Sequence, residues 1–471
     1  MNPGTHASRR RTCALLRRLI AIACALELAG PACAWAVTPD GEWGQIAPQG
    51  SSPGARTEQA AVFDPLRHRM VIIGALPAGN RFADTWALAL DGTPTWTPLA
   101  PYDTLVRERR DHTAIYDPVR DRIIVFGGAV GGYPENDVWA LTLAGTPHWT
   151  EVSPTGTPPP ARYSHSAIYD PLRNRMIVYG GINQLSCLSS AVPFGDVWAL
   201  SLAGTPAWSK LTPSGTPPPA RLDHSAIYDP IRDRMVIFGG LTGGFCWCDC
   251  GTIYSDTWAL SLSGTPAWSR IPHSVTDYGP WAYAHSAAYD ALRDRMLIFG
   301  GTWLNYAFET SNDTWALPLD GSGPWRRLAP YGNPPAPRVN HSAIYYPQGD
   351  RMIIFGGQTP AFSNDVWSLY MNAASVSVEP QGAGVLFIEG VAPNPSPSQL
   401  TVTFTLPSAH PALLELMDVA GRRVAAREVG SLGPGRHEVR LGEPSRVPAG
   451  VYLVSLTQDG RRVVARAAIV H

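Results

Sequence analysis

The sequence predicts an all-β protein: a six-bladed β-propeller closed by an N-terminal outer strand, followed by a small β-sandwich. Three observations carry this expectation. One residue pattern recurs six times, glycine and proline punctuate short apolar runs instead of forming low-complexity tracts, and a strand missing from the end of the array is found at its start.

The 471 residues exceed one ordinary domain, and 45% hydrophobic against 16% charged residues fits a packed globular chain. A formal net charge of −1, with no basic stripe past the first twenty residues, excludes an electrostatic footprint for nucleic acid. Residues 1–36 read as an export signal. Arg9, Arg10, Arg11, Arg17 and Arg18 precede the apolar run Leu19–Ala29, and Ala34-Trp35-Ala36 offers small residues for cleavage after Ala36. Glu27 interrupts the run, which is too short for a good membrane span, so none is expected in the mature protein.

Each repeat resembles "HSAIYDPLRNRMIVYGG", His165–Gly181, and the copies begin at Gln59, His112, His165, His224, His285 and His341, 53 to 61 residues apart. A first short strand turns through Pro-x-Arg-x-Arg into a second, which ends on paired glycines where positive φ or close backbone approach is expected. The third strand contains Asp-x-Trp, at Trp86, Trp139, Trp198, Trp258, Trp315 and Trp367. The fourth opens on Trp96, Trp149, Trp208, Trp268 or Trp325 and leads into a proline-rich loop ending near an arginine. No such tryptophan follows the sixth copy. Trp43, in "WGQIAPQGSSPGAR", stands at the missing position, so the N-terminal segment is expected to supply the outer strand of the last blade and hide the sheet edges.

Over residues 41–370 these features resemble the kelch repeat: a glycine pair after an apolar strand, a spaced aromatic and a later tryptophan. Blade one departs with Gly74-Ala75 and Gln59, and blade six carries Tyr346 in place of the aspartate. The resemblance implies a kelch-type propeller, a frame for protein interaction and also for galactose-oxidase-like copper enzymes and some sugar-processing enzymes. Fold follows from the match; activity does not.

Residues 371–384 read as a linker. In residues 385–471, "APNPSPSQLTVTFTLP", "DVAGRRV" and "PAGVYLVSLTQDGRRVVARAAIV" resemble the C-terminal sorting domain of type IX secretion cargo, or its Ig-like relative in flagellar hook-capping proteins. That resemblance implies an Ig-like sandwich, the type IX secretion machinery as a partner, and a secreted or outer-membrane-surface location on a bacterium. The alternative is an Ig-like spacer without a sorting role.

A catalytic constellation is needed once, whereas the His-Ser-Asp set recurs around the ring, so a structural role is expected for it. The histidine and serine are expected to satisfy backbone groups, and the arginines to pair with neighbouring blades. Sites belong where the repeats break. The turns of one face scarcely vary, whereas the segment between the glycine pair and Asp-x-Trp runs from seven residues in blade six to fifteen in blade four. Trp247, Trp281 and Trp303 all fall on this variable face in blades four and five, with Tyr278, Tyr306 and Asn305 beside them. Such a sector can stack on a sugar or anchor a protein partner, or form a small loop core of its own. Cys187, Cys246, Cys248 and Cys250 could hold zinc as thiolates, but the exported setting favours two disulfides of undetermined pairing. No metal or other cofactor is expected. Only His273 is well placed for copper, and Asp277 and Glu309 are the carboxylates a glycosidase could use. The expected function is non-enzymatic recognition of an extracellular protein or glycan, with a carbohydrate-active enzyme as the alternative.

Overall fold

The structure is a computed structural model. It describes residues 40–75, 84–99, 108–184, 192–242, 251–272, 280, 282–303, 309–371, 386–392, 400–418, 422–441, 450–459 and 461–469. Among them there is no α-helix, and none is long and apolar enough to cross a membrane.

Six four-stranded antiparallel sheets follow the repeats, five of them with their strands in chain order from the axis outward, as in blade three: Ser166–Asp170, Arg175–Tyr179, Val197–Ser201 and Ala207–Leu211. Blade six is completed from the other end of the chain. Glu42–Ile46 pairs antiparallel with Val366–Tyr370 and places Trp43 opposite Leu369. This is the closure expected from the tryptophan spacing.

Each blade buries both faces of its second strand. In Arg175–Tyr179, Met176, Ile177, Val178 and Tyr179 are fully buried, because neighbouring blades cover alternate side chains from the two sides. The outer tryptophans wedge between blades. Trp208, Trp268, Trp325, Trp43 and Trp96 pack on Phe126, Tyr179, Phe238, Phe299 and Phe355 of the preceding blade, with ring centroids 4.7–5.2 Å apart.

Charged seams join the blades on the constant face. Asp170, fully buried, accepts from the backbone N–H groups of Leu172 and Arg173 and from the guanidinium groups of Arg173 and Arg175. Arg173 also donates to Asp233 of the next blade at 2.6 and 3.1 Å. Equivalent interblade pairs are Arg67–Asp121, Arg232–Asp294 and Arg293–Asp350. Blade three has Asn174 at the receiving position, so Arg120 turns to the carbonyl groups of Leu202 and Gly204. The closing seam is built differently: Tyr346 and His68 both bond Asp91.

The described tail residues form two sheets. One orders Phe387–Ala392, Leu400–Leu406 and Gly435–Leu441; the other orders Arg423–Glu428, Ala412–Asp418, Gly450–Gln458 and Arg461–Ile469. Alternate residues Leu400, Val402, Phe404, Leu406, Leu414, Leu416, Val454 and Leu456 fill one core shared by both sheets.

Candidate functional site

The suggestive His-Ser pair is interblade mortar. Ser166 Oγ meets His224 Nε2 at 2.7 Å, and the pairs Ser225–His285 (2.8 Å), Ser286–His341 (2.7 Å) and Thr113–His165 (2.9 Å) repeat the contact. The partner is thus a hydroxyl of the preceding blade, where the sequence suggested backbone groups. Burial pushes the imidazoles down, His285 and His341 to about 3, so they stay neutral. Blade one departs at both ends of this arrangement. Gln59 donates to Ser342 Oγ and the Phe355 carbonyl, while His112 faces blade one, where Ala60 replaces the serine, and its two ring nitrogens are buried without hydrogen-bond partners. These histidines do not fit a copper centre, since they are sealed between blades. His68 and His148 lie at constant-face turns, and His273 is outside the described residues.

Glycine is required at the end of the second strand. Gly181 has φ 88°, and a Cβ there would lie 2.7 Å from the Tyr163 carbonyl oxygen and 2.8 Å from the His165 Cβ. The close approach lets the chain entering the inner strand cross the blade and turn along the axis.

Six residues meet where these entering segments converge, at the floor of the variable face. Glu58, Asp111, Ser164, Asp223, Ala284 and Asn340 all have φ between 53° and 62°. Each donates its backbone N–H to the carbonyl of the preceding member, at 2.9–3.1 Å, and Glu58 bonds Asn340, so six hydrogen bonds close a ring. The left-handed backbone explains the prevalence of Asp and Asn, which tolerate it best among non-glycine residues. It also assembles three carboxyl groups. Burial and the charges of Glu58 and Asp223 hold the Asp111 carboxyl well above its usual range, and burial with Glu58 pushes Asp223 up to about 6. Arg110 offsets this in part by donating to Glu58 at 3.3 Å.

Beside the ring, Tyr163, Ile182, Leu222, Leu241 and Ile253 form a small buried apolar cluster against Ala129, with Tyr283 packed on it. The floor is therefore apolar across blades three to five and polar at Arg110, Glu58 and Asn340. Above blade two, the second and third strands extend into a hairpin, Arg122–Val130 and Tyr133–Thr142, turning on Gly131-Gly132 and exposing 76% of Tyr133. The sequence signal for it was the Gly-Gly turn flanked by pairing residues, obscured by the glycine pair four residues earlier.

The Asp-x-Trp motif also acquires a purpose. Arg162, fully buried, forks onto Asp196 at 2.7 and 3.1 Å and donates to the Gly180 carbonyl at 2.9 Å, and Asp196 further accepts from the Trp198 indole at 2.7 Å. Arg56–Asp84, Arg109–Asp137, Arg221–Asp256 and Arg338–Asp365 repeat this clamp, which pins the base of the variable loop to its blade in five of the six blades.

Of the residues expected to form a binding sector, Trp303 lies on the short strand Thr302–Trp303, paired with Ala282, and Glu309 is exposed at the end of the same connection. Trp247, Trp281, Tyr278, Tyr306, Asn305, Asp277 and His273 lie outside the described residues, as do Cys187, Cys246, Cys248, Cys250 and the export signal. Among the described residues no group of three His, Cys, Asp or Glu could hold a metal ion.

A model described as the KLHDC2/KLHL20/DRC7 Kelch-repeats domain matches residues 33–240 and 145–322, together more than half of the chain. The chain belongs to the kelch-repeat family. A second model, the secretion system C-terminal sorting domain, matches residues 390–470, so this kelch protein carries a tail that marks it for export. The putative adagio-like protein 2 of Oryza sativa subsp. japonica is 31% identical over 253 residues, 50% of this chain and 36% of that protein. Kelch domain-containing protein 3 of Rattus norvegicus is 29% identical over 279 residues, 56% of this chain and 67% of its own. The kelch chain thus spans about a third of the rice relative. In solved structures, a fungal alcohol oxidase of the AA5 family, in complex with copper, matches with TM-score 0.53 at 14% identity, covering 91% of this chain and 99% of its own. At that identity the likeness is one of fold.

Proposed function

We propose that this exported kelch propeller is a binding protein that recognises a partner outside the cell through its variable face. One observation carries the reading: on the constant face the same Asp and Arg side chains bond one another at four of the six seams, while the variable face carries loops of unequal length over a floor that differs from blade to blade. The aromatic sector of Trp247, Trp281 and Trp303 contributes anchors for a protein or glycan, and the four cysteines form disulfides that hold the loops of blades three and four. The tail delivers the propeller through type IX secretion, after removal of residues 1–36, to the outer surface or the medium.

Binding of wild type and of a Trp247→Ala/Trp281→Ala/Trp303→Ala variant to a glycan array and to extracellular protein extracts tests the sector; equal binding by both removes it. Deleting residues 385–471 should retain the propeller in the periplasm, and unchanged export would count against sorting. Sugar turnover that disappears in Asp277→Ala or Glu309→Ala would instead make the propeller an enzyme.

A further inference from the structure

The loop-base clamp is absent from blade five. Arg56, Arg109, Arg162, Arg221 and Arg338 each stand three residues before the first position of an inner strand's Gln or His; in blade five that place belongs to Ala282. The backbone confirms the equivalence. Gly240 N–H donates to the Ala282 carbonyl at 2.9 Å, as Gly181 N–H does to that of Arg221 and Gly301 N–H to that of Arg338. Chain path and hydrogen bonding are kept, and only the guanidinium is gone.

Its acceptors remain. Asp313 holds the place of Asp196 and Asp256, and Gly300 that of Gly180 and Gly239, whose carbonyl oxygens take an arginine N–H at 2.9 Å. Asp313 receives an outer-strand side chain instead: Arg327, 63% exposed, reaches Oδ1 from the rim, whereas the five clamp arginines are at most 2% exposed. No described residue donates a hydrogen bond to Asp313 Oδ2 or to the Gly300 carbonyl oxygen. Phe194 and Tyr254 lie 4.2 and 4.3 Å over the guanidinium groups of blades three and four; blade five has Ser311 there, capping the Asp313 N–H at 2.9 Å, as Ser363 caps Asp365 in blade six, which keeps its arginine.

From these substitutions we infer that blade five takes an arginine side chain of a partner protein in trans, its guanidinium forking onto Asp313 and donating to the Gly300 carbonyl as the resident arginine does elsewhere. The inference rests on the variable face being the binding surface and narrows its partner from protein or glycan to a protein with an exposed arginine. Five copies of the same acceptor set filled by guanidinium define the chemistry, since a planar fork matches a carboxylate and an adjacent carbonyl where an ammonium or a neutral hydroxyl does not. Trp303, paired directly with Ala282, puts one member of the proposed aromatic sector on the same blade.

The test uses ethylguanidinium chloride as probe, with sodium chloride and ethylurea at equal concentration as controls. At tenfold excess over its dissociation constant the probe should raise the wild-type melting temperature by about 2 °C. Ala282→Arg, which fills the place from within, and Asp313→Asn, which removes the charge with little change of shape, should each abolish that rise. The inference fails if wild type gives no rise, if ethylurea gives an equal one, or if either variant that folds keeps it. A partner captured by the variable face whose affinity is unchanged in Ala282→Arg would leave the binding function standing and remove the arginine site.

Discussion

The axial ring makes a prediction whose sign is opposite to that of most buried charges. Asp223 is pushed up to about 6 from 3.8, by burial first and then by Glu58, with Ser164 opposing through a hydrogen bond. A carboxyl whose folded pKa is raised binds a proton in the native state that the unfolded chain has already released. Stability is therefore highest below about pH 4 with respect to this group, falls as pH rises through about 6, and carries the full penalty above 7. A shift of about two pKa units corresponds to about 3 kcal/mol at most. Asp223 keeps part of its surface exposed, so solvent screens part of the penalty and leaves about 1–2 kcal/mol. Asn tolerates φ 53° as Asp does, so Asp223→Asn removes the charge without straining the ring. Urea unfolding at pH 7.5 should show the variant more stable than wild type by about 1–2 kcal/mol, and the two should converge at pH 4. A variant less stable than wild type at pH 7.5, or a gain of equal size at both pH values, would refute the argument.

Arg162→Ala leaves Asp196 and the Gly180 carbonyl without their clamp and should cost about 3–5 kcal/mol in urea unfolding. Ala60→Ser supplies the hydroxyl that the seam between blades one and two lacks, and should stabilise by about 1 kcal/mol through a bond to His112. Trp43→Ala removes the wedge that packs on Phe299 and anchors the closing strand. It should cost about 3–5 kcal/mol and increase proteolysis of the N-terminal segment under native conditions.

The frame was legible because propeller chemistry repeats. The spacing of Trp43 to Arg56 was enough to place an outer strand more than three hundred residues from its partner Val366–Tyr370, since Trp96, Trp149, Trp208 and Trp325 each precede an arginine by the same interval. The arginine pairing across seams was also readable, because the turn between the first two strands carries an arginine at the pairing position in five of the six blades, Gly349 being the exception. What could not be read was which atoms the repeated polar residues meet. His165 follows Ser164 and precedes Ser166, so sequence proximity suggests local bonds, yet its partner is Thr113 of another blade. Contacts between blades join residues more than fifty positions apart, and no local pattern reports them. The axial ring was missed for a related reason: its six members share a backbone conformation and not a residue type, so Glu58, Ser164 and Ala284 do not look alike in the sequence.

Departures from the repeat differ in physical kind, and that difference separates structure from function. Asn174 replaces an aspartate, and Arg120 finds carbonyl groups; Tyr346 replaces another, and bonds Asp91; Gln59 replaces a histidine, and reaches the same serine. In each case a new bond inside the propeller takes up the freed group, so the change is absorbed by the frame. Ala282 differs because Arg327 answers only one oxygen of Asp313 from the solvent side, and no described residue donates to the inner acceptors. Although it leaves His112 unpartnered at the seam between blades one and two, the ring thus replaces lost contacts at two of its seams. That it does not do so in blade five, on the face with the longest loops and beside the sector richest in extra tryptophan, is the physical reason to look there for what this protein binds.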